Sequence, residues 1–227
     1  MTTTLSSTSS TLNKNLRTQI RKNIRHQRNQ LSSNFQKQAS KALTNQLINL
    51  PSVKSAKSLA IYLANDGELS PLPFIHWCWQ QNKQIALPVI HPFNKRHILF
   101  LNYAPSSLMK NNRFNIPEPQ LNVTQVIPVR ALDIIFTPLV AFDQYGQRLG
   151  MGGGFYDRTL AFTNLSNNSP KNNKKINNPT PAIIGLAHDC QQVEKIPVEL
   201  WDVPIPQIIT PSKLIEGKPD TNKRIIC

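Results

Sequence analysis

Four of the chain's eight glycines, Gly150, Gly152, Gly153 and Gly154, fall within five positions of the stretch RLGMGGGFYDRTL (148–160). Glycines let backbone N–H groups close on phosphate oxygens, and a helix starting behind them adds a favourable dipole. Two familiar phosphate loops are excluded. A P-loop needs Gly-Lys-Ser/Thr and no lysine is near; a dinucleotide-binding fingerprint needs glycine where Phe155 stands. The competing chemistry-free reading is a tight strand-to-helix turn requiring positive φ. The glycines alone leave both open.

A second candidate is an arginine edge. Arg17, Arg21, Arg25 and Arg28 recur at spacings of three and four beside an apolar seam of Leu12, Leu16, Ile20 and Ile24, the pattern of one amphipathic helix. The formal charge is +14 and no Asp or Glu precedes Asp66. Such a helix suits a nucleic-acid surface, an import signal or an anionic small molecule. Residues 13–34 carry none of the aromatics that a base-stacking surface would interleave with its cations.

The remaining composition sets bounds. At 227 residues the chain suits one sizeable core, domains running to roughly 100–200 residues. Three cysteines (Cys78, Cys190, Cys227) without metal-type spacing point to a reducing, cytoplasmic setting, and no apolar run is long enough to span a membrane. The expected organisation is a flexible Ser/Thr-rich tail (1–11), one catalytic domain (12–216) with an exposed Asn-rich loop insertion (164–181), and a C-terminal tail (217–227).

These candidates must be positioned by regular elements. Ser32 or Ser33 caps a second helix carrying Phe35, Ala39, Leu43 and Leu47, which Pro51 stops. SLAIYL (58–63) reads as a buried strand ending in Asn-Asp-Gly. Ser70 and Pro71 open a helix through Trp77 and Trp79. QIALPVI (84–90), HILFLNY (97–103), AIIGLAH (182–188) and PQIITP (206–211) read as strands, with DIIFTPLVAF (133–142) the central one, and a helix starts at FYDRTLAF. The fold class is therefore α/β: a single domain with a mostly parallel sheet, helices on both faces, and two N-terminal helices before it. The glycines then lie between strand and helix, at a carboxyl end where open sheets bind ligands.

FDQYGQRLGMGGGFYDR (142–158) closely resembles the signature of the 5-formyltetrahydrofolate cyclo-ligase family, FD-x-x-G-x-RLG followed by a glycine-rich loop and an aromatic-Tyr-Asp. The resemblance extends, in order, through Arg17-x-x-x-Arg21, GEL (67–69), LPV (87–89), NIPEP (115–119), IP-x-E-x-WD-x-P (196–204) and ITP (209–211), covering nearly all of 13–213. It implies ATP- and Mg²⁺-dependent cyclisation of 5-formyltetrahydrofolate to 5,10-methenyltetrahydrofolate, through phosphorylation of the formyl oxygen, with release of ADP and phosphate. By the same resemblance Arg17, Arg21, Arg148, Leu149, Gly150, Met151, Gly152, Gly153, Gly154, Phe155 and Tyr156 would hold ATP. Leu63, Glu68 and Phe114, with Gly152 to Phe155, would hold the folate, and Asp157 and Asp202 the metal. Arg148 and Tyr156 are the implied catalytic residues.

Arg25 and Arg28 read as a solvated face outside the site, and His188 as structural. Many members of the family carry lysine where this chain has Gly153, so another cation is expected to serve the phosphates. The expected partners are the folate and ATP, with no membrane, no obligate nucleic acid and a monomeric state. The alternatives are a basic nucleic-acid-binding protein, which makes use of the charge, and an ATP-dependent transferase with another acceptor.

Overall fold

The structure, a computed structural model, describes residues 4–94, 97–167, 180–199 and 202–217. Most of the Asn-rich stretch at 164–181, and the tail beyond Gly217, lie outside the described residues.

Helix α1 (Thr4–Asn29) forms on the Leu/Ile seam and begins inside the Ser/Thr-rich stretch, ahead of Leu12. The seam is used unevenly: Leu12 and Leu16 are exposed, whereas Ile24 is buried beside Val140, Leu149 and Ile196. In α2 (Ser33–Asn49) the Ser32 hydroxyl accepts the Phe35 N–H at 3.2 Å, as an N-cap should. Pro51 both ends that helix and opens the short α3 (Pro51–Ser55), where its missing N–H is no loss.

After β1 (Ser58–Ala60), α4 (Leu72–Gln80) starts at Leu72, just past the expected Ser70-Pro71 cap; Ser70 Oγ lies a long 3.4 Å from the Leu72 N–H. The chain continues through β2 (Gln84–Ile90), β3 (Ile98–Asn102), the small hairpin of β4 (Met109–Asn111) and β5 (Pro117–Pro119), β6 (Val126–Ile127) and β7 (Ile134–Pro138). Then come a second hairpin, β8 (Ala141–Phe142) with β9 (Arg148–Leu149), helix α5 (Phe155–Asn167), and strands β10 (Ala182–Leu186), β11 (Gln207–Ile209) and β12 (Leu214–Glu216).

The main sheet of the described residues has eight strands in the order β12-β11-β10-β7-β1-β2-β3-β6. The five from β11 to β2 run parallel, and antiparallel strands close both margins. Alternation of side chains divides the core as a pleated strand must. Leu59, Ile85, Ile134 and Phe136 point to the face covered by Leu43, Leu47, Phe74 and Ile75 of α2 and α4. Ala60, Ala86 and Ile135 point to the opposite face, where Leu160 of α5 packs. The small alanines let α5 approach closely.

One expected strand is two elements. The run 133–142 leaves the main sheet at Pro138, which pairs with Leu186 but has no N–H to carry the ladder further. Leu139, Val140, Ala141 and Phe142 are nonetheless all buried, because the hairpin they enter is packed between the sheet and α1. That hairpin hands the chain to the glycine loop.

Candidate active site

The carboxyl ends of β1, β2 and β7 open onto one cavity of about 450 Å³, where a parallel sheet places ligands. Tyr62 and Leu63 follow β1 into its wall, Pro88 and Ile90 come from β2, and Pro138 and Leu139 from the end of β7. The glycine loop and the start of α5 close it.

The loop's backbone explains its composition. Gly152 (φ +97°) and Gly154 (φ +62°) sit in the left-handed region where a side chain is strained. A Cβ on Gly153 would lie 2.7 Å from the Phe155 ring, so Phe155 is packed directly against the loop. Around Gly150, by contrast, a Cβ would meet nothing within 4 Å. Gly150, Met151, Gly153, Gly154, Phe155, Tyr156 and Asp157 all border the cavity. Leu149 does not. Its side chain is in the core with Ile24 and Val140, so only its backbone faces the loop.

Arginines brace the loop from beneath. Arg21 Nε donates to the Gly150 carbonyl at 2.8 Å and its guanidinium is the nearest group to Gly152. Burial, and Arg17 beside it, push the Arg21 pKa down. Arg158 donates to the Gly153 carbonyl and packs against Gly154, an additional cation at the loop that none of the sequence motifs marks as such. Arg148 is buried and donates to Asp157 Oδ1. Asp157 lies in the first turn of α5, where a carboxylate complements the helix dipole.

Arg17 grips Asp202, its Nη2 donating to Oδ1 at 3.0 Å and its Nη1 to Oδ2, and also reaches the Pro197 carbonyl at 2.8 Å. The Glu199 N–H donates to Asp202 Oδ2 at 2.9 Å. Both oxygens of Asp202 are thus engaged, and Asp202 is not part of the cavity wall. Asp157 offers a partly exposed carboxylate on the cavity with one oxygen held by Arg148. Mg²⁺ commonly takes one or two carboxylates plus substrate phosphates. Asp157 fits on those terms as it stands, whereas Asp202 is engaged by Arg17 and the Glu199 N–H and lies off the cavity wall.

The folate-side candidates come together. Leu63, Glu68 and Phe114 all line the cavity, and the Phe114 and Phe155 rings meet edge-to-face at 6.3 Å. Glu68 accepts the Asn65 N–H at 3.1 Å, and burial raises its pKa from 4.5 to about 7 against the opposing pull of Arg28. The Tyr156 hydroxyl is buried without a hydrogen-bond partner among the described residues. Burial, followed by the nearby Glu68, drives its pKa upward.

Arg28 corrects the expectation of a solvated face. It is fully buried, lines the cavity, and donates at 2.7 Å to both the carbonyl and Oδ2 of Asp66. Arg25 and Asn29 bind the same carboxylate. Arg25 foremost, with Asn29 and Arg28 behind it, lowers the Asp66 pKa from 3.8 to about 2. The turn they hold, Asp66 (φ +50°) and Gly67 (φ +73°), presses so closely on α1 that a Gly67 Cβ would lie 2.5 Å from Asn29 Oδ1. Its next residue is Glu68. The signal is present in the sequence, since Arg28 continues the seam four residues after Ile24. His188 is fully buried outside the cavity wall; burial, with Arg28 next, lowers its pKa to about 4. Glu118 and Asn112 also line the cavity; Glu118 belongs to the NIPEP motif, to which the resemblance attaches no site role, and nothing in the sequence pattern singles out Asn112.

Residues 13–211 match the model of the 5-formyltetrahydrofolate cyclo-ligase family. The chain is 45% identical over 193 residues to the 5-formyltetrahydrofolate cyclo-ligase of Escherichia coli (strain K12), covering 85% of this chain and 99% of that one. It is 47% identical over 198 residues to the enzyme of the same name from Haemophilus influenzae, covering 87% and 99%. Among solved structures it resembles 5,10-methenyltetrahydrofolate synthetase of Aquifex aeolicus, with a TM-score of 0.72, 26% identity and coverage of 89% and 93%. The ordered motifs, the loop at the strand ends and these relatives agree: the chain belongs to the 5-formyltetrahydrofolate cyclo-ligase family.

Proposed function

We propose that this protein, a 5-formyltetrahydrofolate cyclo-ligase, closes its substrate's ring by transferring the γ-phosphoryl group of ATP to the formyl oxygen. The formyl group on N5 is an amide, and its oxygen is a poor leaving group until phosphorylated. Transfer forms the O–P bond and breaks the bond to the β-phosphate oxygen, releasing ADP. N10 then attacks the formyl carbon, loses its proton, and phosphate departs to leave 5,10-methenyltetrahydrofolate. Such a reaction asks the protein chiefly to position reactants and to stabilise charge.

The observation that carries the assignment is the junction of loop and cavity. A backbone with room for phosphates at Gly150 passes without a break into Phe155, which meets Phe114 across an apolar cavity. In this reading the loop N–H groups and the start of α5 take the triphosphate, Arg21 and Arg158 hold the loop against it, and Arg148 stabilises the charge moving onto the leaving oxygen. Arg17 turns from Asp202 to phosphate when nucleotide arrives. The metal, held by Asp157 and then by Asp202, would supply charge neutralisation for the phosphates. Tyr156 offers its unpaired hydroxyl to the reacting formyl group, while Leu63, Glu68 and Phe114 enclose the pterin.

The four arginines of α1 support a nucleotide reading over a nucleic-acid one, because each is turned to a partner within the chain. Cys78 and Cys190 are free thiols, in keeping with a cytoplasmic enzyme, and we take its active form to be the monomer. No helix of the described residues is long and apolar enough to cross a membrane.

The test is turnover. Purified protein with 5-formyltetrahydrofolate should raise the near-ultraviolet absorbance of methenyltetrahydrofolate only when ATP and Mg²⁺ are both present, and Asp157→Ala should abolish the rise while the protein stays folded. Cyclisation that proceeds without either ATP or metal would defeat the phosphorylation mechanism.

A further inference from the structure

Four described carboxylates line the cavity, and three are accounted for. Asp66 is held by Arg25, Arg28 and Asn29, and Asp157 by Arg148. Glu68 accepts the Asn65 N–H at 3.1 Å and already has a place on the folate side of the cavity in the proposed function. The fourth is Glu118, in β5.

Glu118 is 5% exposed. Its Oε2 accepts from the Ile90 N–H at 3.2 Å and from Asn112 Nδ2 at 3.1 Å. Both bonds fall on that one oxygen, and among the described residues no cation forms an ion pair with the carboxylate. An ionised carboxylate removed from water needs compensating donors. The two it has fix its orientation without neutralising it. Its anchors are β2 and the turn after β4, so it occupies a different wall from the glycine loop.

We propose that Glu118 is a specificity-determining residue that reads the pyrimidine edge of the substrate's pterin, accepting hydrogen bonds from the 2-amino group and the adjacent N3–H. Those two donors lie side by side, in the fork geometry that a carboxylate accepts best. They also lie at the end of the bicyclic ring remote from C6, the atom that carries N10. A pterin whose N5 and N10 face the loop therefore extends its donor edge away from the loop, toward a wall that holds an unneutralised carboxylate. Phe114 and Phe155 lie on the same cavity, beside the ring's path. Glu118 makes no bond in the reaction; it selects a 2-amino-4-oxo pterin and sets its register.

The proposal rests on the folate reading of the cavity, and the experiment separates the two. KM and kcat are measured for wild type and Glu118→Gln with 5-formyltetrahydrofolate and with its 2-desamino analogue, together with KM for ATP and the melting temperature. A hydrogen bond to a charged group predicts about a tenfold to hundredfold rise in folate KM for E118Q, with ATP KM unchanged. The analogue should lose a similar factor on wild type and little further on E118Q, because both changes remove one contact. Losses that multiply, or an unaltered folate KM, overturn the proposal while leaving cyclo-ligase activity intact. If E118Q does not fold, the wild-type comparison decides alone: an analogue bound as well as the natural substrate refutes the contact. Glu118→Asp, which keeps the charge but shortens its reach, should then show the same selective rise in folate KM.

Discussion

Arg17 and Asp202 close on each other across 185 residues of sequence, guanidinium fork to carboxylate. In the proposed mechanism the pair holds a basic group destined for the nucleotide against an acid destined for the cation. Magnesium-bound ATP brings both signs of charge at once, so the pair can be exchanged without leaving either side chain uncompensated. Arg17→Ala should therefore lower the melting temperature, by about 1–3 kcal/mol in stability for the abandoned, largely buried Asp202, and also raise KM for ATP. Arg21→Ala removes a single bond to a loop carbonyl, so it should raise KM for ATP with little change in melting. Thermal scans beside ATP titrations distinguish the two. Equal loss of stability in both variants would count against the exchange.

Within the loop, two glycines should fail in different ways. Gly154 has a φ of +62°, and a methyl group placed there would meet the Arg158 side chain at 2.7 Å. Gly154→Ala is therefore destabilising by about 1 kcal/mol or more, visible as a lower melting temperature even without ligand. Gly150 has open space around it. Gly150→Ala should melt within about 0.5 kcal/mol of wild type, yet raise KM for ATP because its methyl group enters the room left for phosphate. A Gly150→Ala enzyme with normal ATP kinetics would remove Gly150 from the nucleotide site.

Two buried groups should oppose each other as pH changes. Glu68 is raised from 4.5 to about 7, so the folded state keeps a proton that the unfolded chain has lost, and stability falls as pH rises through that window. His188 is lowered from 6.5 to about 4, so the unfolded chain holds the extra proton and stability rises with pH through its window. Each amounts to about 3 kcal/mol, with opposite sign. Asp66, near 2, stays ionised throughout and adds no slope. Wild-type melting should accordingly be almost flat between pH 4.5 and 6.5. Glu68→Gln should make it climb with pH, and His188→Asn should make it fall. A flat profile in both variants would show that neither group is buried as described.

The parts of the site readable in sequence are those where backbone requirements choose the residue. Clustered glycines before an aromatic helix start mark the loop, and Ser32 and Pro51 mark helix ends, because few other residues suit those positions. The seam of α1 is legible as a period, but Arg28 misleads: its charge suggests solvent, whereas its place four residues beyond Ile24 puts it inside. Charge outweighs position in such a reading because a buried guanidinium becomes tolerable only through Asp66, a distant acid in no local pattern. Pro138 is legible as a gap, and the structure makes it the point where the chain leaves the main sheet. Glu118 is visible in the sequence only as a member of NIPEP, and its place in the cavity is not, since its partners Ile90 and Asn112 come from separate strands and turns.

The order in which α1 meets its partners has a consequence for how the protein is made. This helix is translated early, yet it is fastened by Gly150, Pro197 and Asp202, which a ribosome adds only much later. A nascent chain can thread its central strands with Arg25 and Arg28 already met by Asp66, and still hold Arg17 without the Asp202 carboxylate that receives it. Active enzyme should therefore appear only near the end of synthesis, in the step that brings the helix home. Until then, the growing chain exposes a basic segment to every polyanion around it.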